Sequence, residues 1–133
     1  MTLANTLLLD PENLNRPKTN VIDAYGNTGF GTWLKQTGIN TWYFLAGDIN
    51  AGGTLGTAGF VSNGWYNLGW NGSADWYFFD SNGMMKSGWH QENGKTYYLN
   101  PNPLDTNYGK MVKGAKNIDG QVYIFDESGA LIA

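Results

Sequence analysis

A short aromatic run recurs four times along this chain, each time between a preceding glycine and a following glycine that has an apolar residue two positions later. The runs cover residues 42–45, 76–80, 97–100 and 123–126. The preceding glycines are Gly38, Gly72, Gly94 and Gly120, and the following pairs are Gly53 and Leu55, Gly83 and Met85, Gly109 and Met111, and Gly129 and Leu131. A fixed order of parts repeated along a chain predicts a repeat array.

The spacing of equivalent tyrosines sets the length of the repeat. Tyr77 and Tyr97 lie 20 residues apart, whereas Tyr97 and Tyr123 lie 26 residues apart. The excess falls in residues 101–107, which we interpret as a looped-out turn on a 20-residue unit. Tyr43 precedes Tyr77 by 34 residues, so the first repeat carries about 14 extra residues, rich in Gly, Asn and Ser.

Each repeat has the pattern of a β-hairpin. Residues 89–92 form a short strand, Asn93 and Gly94 form a two-residue turn, and residues 96–99 return as an aromatic strand. The 19 glycines suit a chain with many tight turns. Isolated hairpins are marginally stable in water, so they must bury their aromatic faces on one another. The sequence therefore predicts an all-β solenoid of stacked hairpins of about 20 residues, with looped insertions.

The pattern divides the chain into two parts. Residues 29–133 carry the repeat array, which we expect to contain about four hairpins. Residues 1–28 lack the pattern, although residues 6–11 loosely mirror residues 96–101. We interpret this part as an atypical N-terminal segment or a degenerate capping repeat, because the end repeats of such arrays are often atypical.

Composition argues against several classes of function. A net charge of −3 with scattered basic residues does not suit nucleic acid, and no apolar run is long enough to span a membrane. Cysteine is absent and His90 is the only histidine, on a strand face that we expect to be solvated. Acids such as Asp80 and Asp126 fall at turn positions, where carboxylates bond to local backbone. We predict no catalytic residue, no metal site and no cofactor.

The repeat resembles a known family. The segment Gly83-Met84-Met85-Lys86-Ser87-Gly88-Trp89, followed by Gly94 and residues 96–99, is similar to the cell-wall-binding or choline-binding repeat, and glucan-binding repeats are closely similar. The resemblance implies non-catalytic attachment to a bacterial cell envelope or polysaccharide, and hence an extracellular, cell-wall-associated location, although the chain shows no signal peptide. It also implies that a homodimer through a terminal repeat is possible.

The resemblance further implies ligand cages of aromatic side chains between consecutive repeats. The first expected cage is Trp33, Trp42 and Phe78. The second is Trp65 or Trp70, with Trp76 and Tyr98 and with Met85 nearby; the choice between Trp65 and Trp70 stays open because both follow a glycine.

A third cage would include Trp89, which is also a candidate ligand-binding residue. We expect it to fail, because Thr96 replaces the second-strand tryptophan and Ile124 replaces the partner aromatic. The last repeat has Ala115 and Val122 where tryptophans are expected, so we interpret it as a closing cap.

Three functions fit these residues. The first is a module that recognises choline on teichoic acid, whose quaternary ammonium is held by the negative faces of aromatic rings. The second is a module of the same fold that binds glucan or another cell-wall polysaccharide by stacking sugars on exposed rings. The third is a structural spacer whose cages have decayed.

Overall fold

The computed structural model describes residues 18–36, 41–46, 59–70 and 72–133, and these ranges contain only strands, turns and loops. The strands are β1 (Thr19–Asp23), β2 (Thr28–Lys35), β3 (Trp42–Ala46), β4 (Gly59–Phe60), β5 (Gly64–Trp70), β6 (Ser73–Phe79), β7 (Gly88–Glu92), β8 (Lys95–Leu99), β9 (Gly114–Ile118) and β10 (Gln121–Phe125). The expected all-β class is confirmed. Within the described ranges no helix is long and apolar enough to cross a membrane.

Four antiparallel hairpins carry the repeated pattern. Hairpin A is β2 with β3, hairpin B is β5 with β6, hairpin C is β7 with β8, and hairpin D is β9 with β10. Each aromatic run forms the second strand of its hairpin, as the pattern predicts. The chain separates into two compact units, Met1–Met85 with hairpins A and B, and Lys86–Ala133 with hairpins C and D.

The register of the four hairpins is the same. In each hairpin, the residue that directly follows the equivalent tyrosine of the aromatic run is the cross-strand partner of a first-strand residue. The four cross-strand pairs are Trp33 with Phe44, Trp65 with Phe78, Trp89 with Tyr98, and Ala115 with Ile124. Equivalent positions can therefore be compared from one hairpin to the next, independently of the insertions between them.

The turns follow from local chemistry. Asn93 and Gly94 both have positive φ, 51° and 77°, as a tight turn of this type requires, so the predicted hairpin is confirmed. After the second strand, Asp80 accepts backbone bonds from Asn82 at 2.8 Å and Met84 at 3.0 Å. Asp126 does the same in hairpin D, with Ser128 and Ala130 both at 2.9 Å. The predicted structural role of these acids is confirmed.

The segment after each of these turns returns to the second strand that precedes it. Single antiparallel bridges join Phe79 to Met85, Leu99 to Met111, and Phe125 to Leu131. Residues 101–107 contain turns without strand pairing, which agrees with the predicted looped-out insertion. Gly38, Gly53 and Leu55, which flank the first aromatic run, lie outside the described residues.

Strand β1 joins hairpins A and B into one sheet of order β4-β3-β2-β1-β5-β6. It is antiparallel to β2, where Val21 faces Gly29, and to β5, where Val21 faces Leu68. Part of the segment 1–28 is therefore a central strand of the first unit. The predicted similarity of residues 6–11 to a repeat lies outside the described residues.

Each unit has its own core. The first is built from Val21, Trp33, Phe44, Ala46, Val61, Leu68, Tyr77 and Phe79. The second centres on Tyr98, Ile118 and Phe125, with Tyr123 and Leu131 packed against it. In both units the core lies where the aromatic face of one hairpin meets the next hairpin, so the rings that define the repeat also hold the fold together.

Replacing Gly129 with alanine tests this packing, with Gly120 as a matched control. Both glycines have φ of +87°, but a Cβ at Gly129 would overlap the Met111 side chain, whereas none of the described atoms lies within 4 Å of a Cβ at Gly120. Gly120→Ala should cost about 1–2 kcal/mol of unfolding free energy from backbone strain alone. Gly129→Ala should cost about 1–3 kcal/mol more, because the core must move. Urea unfolding measures both, and equal losses would contradict the packing described.

Candidate aromatic sites

In the first unit, the Trp33 ring lies between hairpins A and B. Its centroid is 5.5 Å from Phe44, its cross-strand neighbour, and 5.0 Å from Tyr77 and 6.1 Å from Phe79 of the following hairpin. The contacts to Phe44 and Tyr77 are edge-to-face, the arrangement that aromatic quadrupoles favour. We call these four residues the Trp33 cluster.

The second unit repeats this arrangement around Trp89. The Trp89 ring lies 4.8 Å from Tyr98, its cross-strand neighbour, and 5.1 Å from Tyr123 and 6.2 Å from Phe125 of hairpin D. The interplanar angles to the following hairpin also agree: 77° and 39° for Trp33, against 74° and 37° for Trp89. These four residues form the Trp89 cluster.

Backbone hydrogen bonds hold both clusters in the same frame. In the first unit, the Met85 amide donates to the Trp42 carbonyl, and the corresponding Leu131 amide donates to the Thr96 carbonyl in the second. These bonds, of 2.9 and 2.8 Å, tie the segment after the later hairpin to the second strand of the earlier hairpin. The two units therefore bring their hairpins together by the same backbone contacts.

The clusters differ in what covers the tryptophan. Trp42 lies 6.1 Å from Trp33, and Trp70 lies 6.2 Å from Trp33 and 6.1 Å from Trp42. In the second unit, the position of Trp42 is taken by the smaller Thr96. Trp33 is consequently only 5% exposed, whereas Trp89 is 43% exposed, so the Trp89 cluster presents a ring face to solvent.

The structure brings together part of the first predicted cage. Trp33 and Trp42 are in ring contact, but Phe78 packs against Trp65 at 5.2 Å. Strand alternation places Phe78 on the face of β6 opposite Tyr77, and it is Tyr77 whose ring meets Trp33. The ligand-binding role of these residues stays a prediction, with Tyr77 and Trp70 as the additional rings at Trp33.

Trp65 and Trp70 contact different aromatic side chains. They lie five positions apart along β5, an odd number, so they lie on opposite faces of the strand. Trp70 faces Trp33 and Trp42, and Trp65 faces Phe78.

The other residues of the second predicted cage are spread over the two units. Trp76 pairs with Asn67 in the first unit, and Met85 packs against the core of that unit. Tyr98 belongs to the second unit, where it contacts Trp89. The second cage therefore stays a prediction.

Sequence reasoning missed Tyr123 and Phe125 at the Trp89 cluster. It expected the partner ring at Ile124, but Ile124 lies on the opposite face of β10. The alternation Tyr123-Ile124-Phe125 carried the signal, since the same spacing recurs at Tyr77 and Phe79 in hairpin B.

Charged residues of both signs lie around the Trp89 cluster, because Lys116 pairs with Tyr123 across hairpin D and Asp119 acts on Tyr98. Burial, and then the nearby Asp119 carboxylate, raise the pKa of Tyr98, so the phenol stays neutral at pH 7. Burial first and Asp75 second raise the pKa of Tyr77 in the equivalent region of the first unit.

His90 is not the solvated residue that the sequence suggested. It is only 6% exposed, on the face of β7 opposite Trp89, and its Nδ1 lies 3.0 Å from Lys86 Nζ. The Glu92 carboxylate lies 4.0 Å from Nε2, and the Tyr97 ring lies 6.1 Å away. Burial first and Lys86 second lower the pKa of His90, although Glu92 opposes them. Alternation explains the miss, because the exposed Trp89 and the buried His90 are neighbours on one strand.

Residues 87–102 match a family model described as a putative cell wall binding repeat. Among solved structures, the chain is 29% identical to the Cpl-1 endolysin complexed with a peptidoglycan analogue, with a TM-score of 0.56 over 86% of this chain and 26% of that one. It is 30% identical to the pneumococcal cell wall endolysin from phage Cp-1 complexed with choline, with a TM-score of 0.57 over 77% of this chain and 25% of that one.

Choline binding protein F from Streptococcus pneumoniae is 27% identical, with a TM-score of 0.55 over 76% of this chain and 28% of that one. The chain thus spans about a quarter of the length of these solved proteins. No match was found among curated proteins.

The buried His90 predicts a loss of stability in mild acid. Because its pKa is lower in the folded protein than the ordinary 6.5, the unfolded chain takes up the proton first as the pH falls. Stability should therefore be full above about pH 6.5 and fall below it, until the folded pKa is passed, by at most about 1.4 kcal/mol per pH unit. Urea unfolding followed from pH 7.5 to 5 measures the effect.

His90→Gln is the control, since glutamine can still accept a bond from Lys86 and does not titrate in this range. Its stability should vary less with pH than that of the wild-type protein. Parallel profiles for the two proteins would contradict this account of His90.

Proposed function

We propose that the chain is a non-catalytic module that binds choline on teichoic acid through the exposed aromatic cluster at Trp89, because residues 87–102 match the model of a putative cell wall binding repeat. The observation that carries the proposal is the exposed Trp89 ring, with Tyr98 and Tyr123 beside it at 4.8 and 5.1 Å. Trp89 and Tyr98 lie within the matched repeat, and Tyr123 comes from the following hairpin.

The chemistry of choline suits this cluster. A quaternary ammonium has no proton to donate, so its recognition depends on ring quadrupoles and on desolvation of its methyl groups. A cation over an aromatic face gains about 0.5–2 kcal/mol. The Asp119 carboxylate that acts on Tyr98 would attract the ammonium, whereas Lys116, which pairs with Tyr123, would oppose it.

The proposal extends to architecture and location. Within each unit the hairpins stack by the contacts described, which suits the expected solenoid of hairpins, and the module acts outside the cell on the bacterial wall. Two solved neighbours support this role, since one is described as a cell wall endolysin complexed with choline and another as a choline binding protein. Binding to glucan by ring stacking is the alternative, and a spacer without ligand is the third.

Choline titration tests the function directly. Tryptophan fluorescence should change with choline in the millimolar range, and Trp89→Ala should weaken binding at least tenfold, since losing the central ring removes about 1.4 kcal/mol or more. Trp89→Phe should lose less, because a smaller ring remains. Tyr25→Ala, which truncates a ring that is 90% exposed in the β1–β2 turn, should bind like the wild-type protein.

The alternatives predict different titrations. A response to soluble glucan without a response to choline would favour the hypothesis of a polysaccharide-binding module. No response to either ligand would favour the spacer. Choline binding that Trp89→Ala leaves unchanged would contradict the assignment to the Trp89 cluster.

Hairpin D supports a homodimer as part of the proposal. Ile124 is equivalent to Phe44 and Tyr98, which are 0% and 9% exposed, but Ile124 is 44% exposed. Val122 and Ile132 are also exposed, and Ile132 donates its amide to the Ile124 carbonyl, which places the three in one apolar patch. This patch is the kind of surface that a second hairpin covers elsewhere in the chain, and a second copy of the chain would supply one.

Sedimentation equilibrium tests the dimer. The wild-type protein should associate as its concentration rises, and Ile124→Lys should remain monomeric, because it places a charge in the apolar contact. Lys116→Glu, on the paired strand, also changes charge without removing apolar surface and serves as the control. A monomeric wild-type protein at all concentrations would contradict the dimer.

A further inference from the structure

A second difference between the two tryptophan clusters is the length of the hairpin strands around them. Hairpin B has strands of seven residues, whereas those of hairpin C have five. The extra length brings Trp70, at the tip of β5, over Trp33 and Trp42 of the preceding hairpin. Hairpin D has five-residue strands, and in the second unit Trp89 remains exposed.

The tip of hairpin B is held in this position. The Trp33 indole Nε1 donates a hydrogen bond of 3.0 Å to the Gly69 carbonyl, directly before Trp70. Gly69 also lies against Thr19 of β1, where a Cβ would overlap the Thr19 hydroxyl. Since both contacts fix the backbone next to Trp70, its indole is positioned by the fold of the first unit.

The indole fills the space that a ligand would need. The rings of Trp33, Trp42 and Trp70 are 6.1–6.2 Å apart, so the point between them lies only about 3.5 Å from each centroid. A methyl carbon already needs about 3.5–4.0 Å from a ring atom, and the ammonium nitrogen lies one bond further away. A quaternary ammonium therefore cannot enter between the three rings as they stand.

We propose that Trp70 occupies the ligand position of the Trp33 cluster, so that this site is closed in the native chain and opens when Trp70 is truncated. The inference rests on the proposed function for the class of ligand. It differs from the expectation from sequence, in which Trp70 was an alternative to Trp65 in the second cage, with Trp76 and Tyr98. With Trp70 removed, Trp33, Trp42 and Tyr77 would line a three-ring site for a quaternary ammonium.

Binding stoichiometry measured by isothermal titration with choline chloride tests this closure. Trp70→Ala should bind one more equivalent per chain than the wild-type protein. The double variant Trp70→Ala/Trp33→Ala should lose the added equivalent, because the new site has lost its central ring. Trp70→Ala/Trp89→Ala should retain it, because the new site lies in the other unit.

The variants distinguish a failure of the closed site from a failure of the proposed function. If the wild-type protein binds no choline but Trp70→Ala binds one equivalent, the result supports the closed site and contradicts the assignment of choline binding to Trp89. If Trp89→Ala abolishes the binding seen in the wild-type protein but Trp70→Ala binds no additional equivalent, the result supports the assignment to Trp89 and overturns the closed site. A chain in which no variant binds choline overturns both.

A second measurement tests the closed site even if the alanine variant fails to fold. The Trp33 indole N–H signal in a ¹H–¹⁵N NMR spectrum should shift on choline addition in Trp70→Ala and in the better-packed Trp70→Leu. It should stay unchanged in the wild-type protein. A wild-type Trp33 signal that shifts to the same extent would show an open site and overturn the proposal.

Discussion

Edge-to-face packing of one first-strand tryptophan onto the next hairpin is the contact on which this structure depends. Trp33 meets Tyr77, and Trp89 meets Tyr123, at nearly the same distance and angle. A lone hairpin of this length buries too little surface to be stable. The tryptophan supplies a large apolar area at low entropic cost and a preferred orientation, so it determines both stability and the spacing of hairpins. The same ring, when left open, is a surface for a cation.

The part of the fold that the sequence could predict is the part that local rules determine. The aromatic runs, the Asn93-Gly94 turn and the Asp80 and Asp126 positions follow from local rules of strand alternation and turn chemistry, and the structure has them as expected. Strand β1 could not be predicted in the same way. Strand β2 follows it directly, but its other partner, β5, lies much later in the chain and is brought beside it only by the folded sheet.

The site was harder to predict than the fold, because tryptophan has the same sequence signature whether it is buried or open. Trp33 and Trp89 both begin a repeat, yet one is buried and the other exposed. The difference comes from Trp42, which Thr96 replaces in the second unit, and from Trp70, which a longer hairpin carries over Trp33 and which has no counterpart in hairpin D. Register errors of one residue, as at Phe78 and Ile124, also exchange the two faces of a strand.

The central claim is that the open tryptophan cluster of the second unit binds a quaternary ammonium. A crystal structure of the protein grown with choline tests it most directly. We expect the ammonium over the Trp89 face, within about 6 Å of the Trp89, Tyr98 and Tyr123 ring centroids, and none between Trp33 and Trp70. Choline bound elsewhere, or a saturated crystal with the Trp89 face empty, would contradict the account.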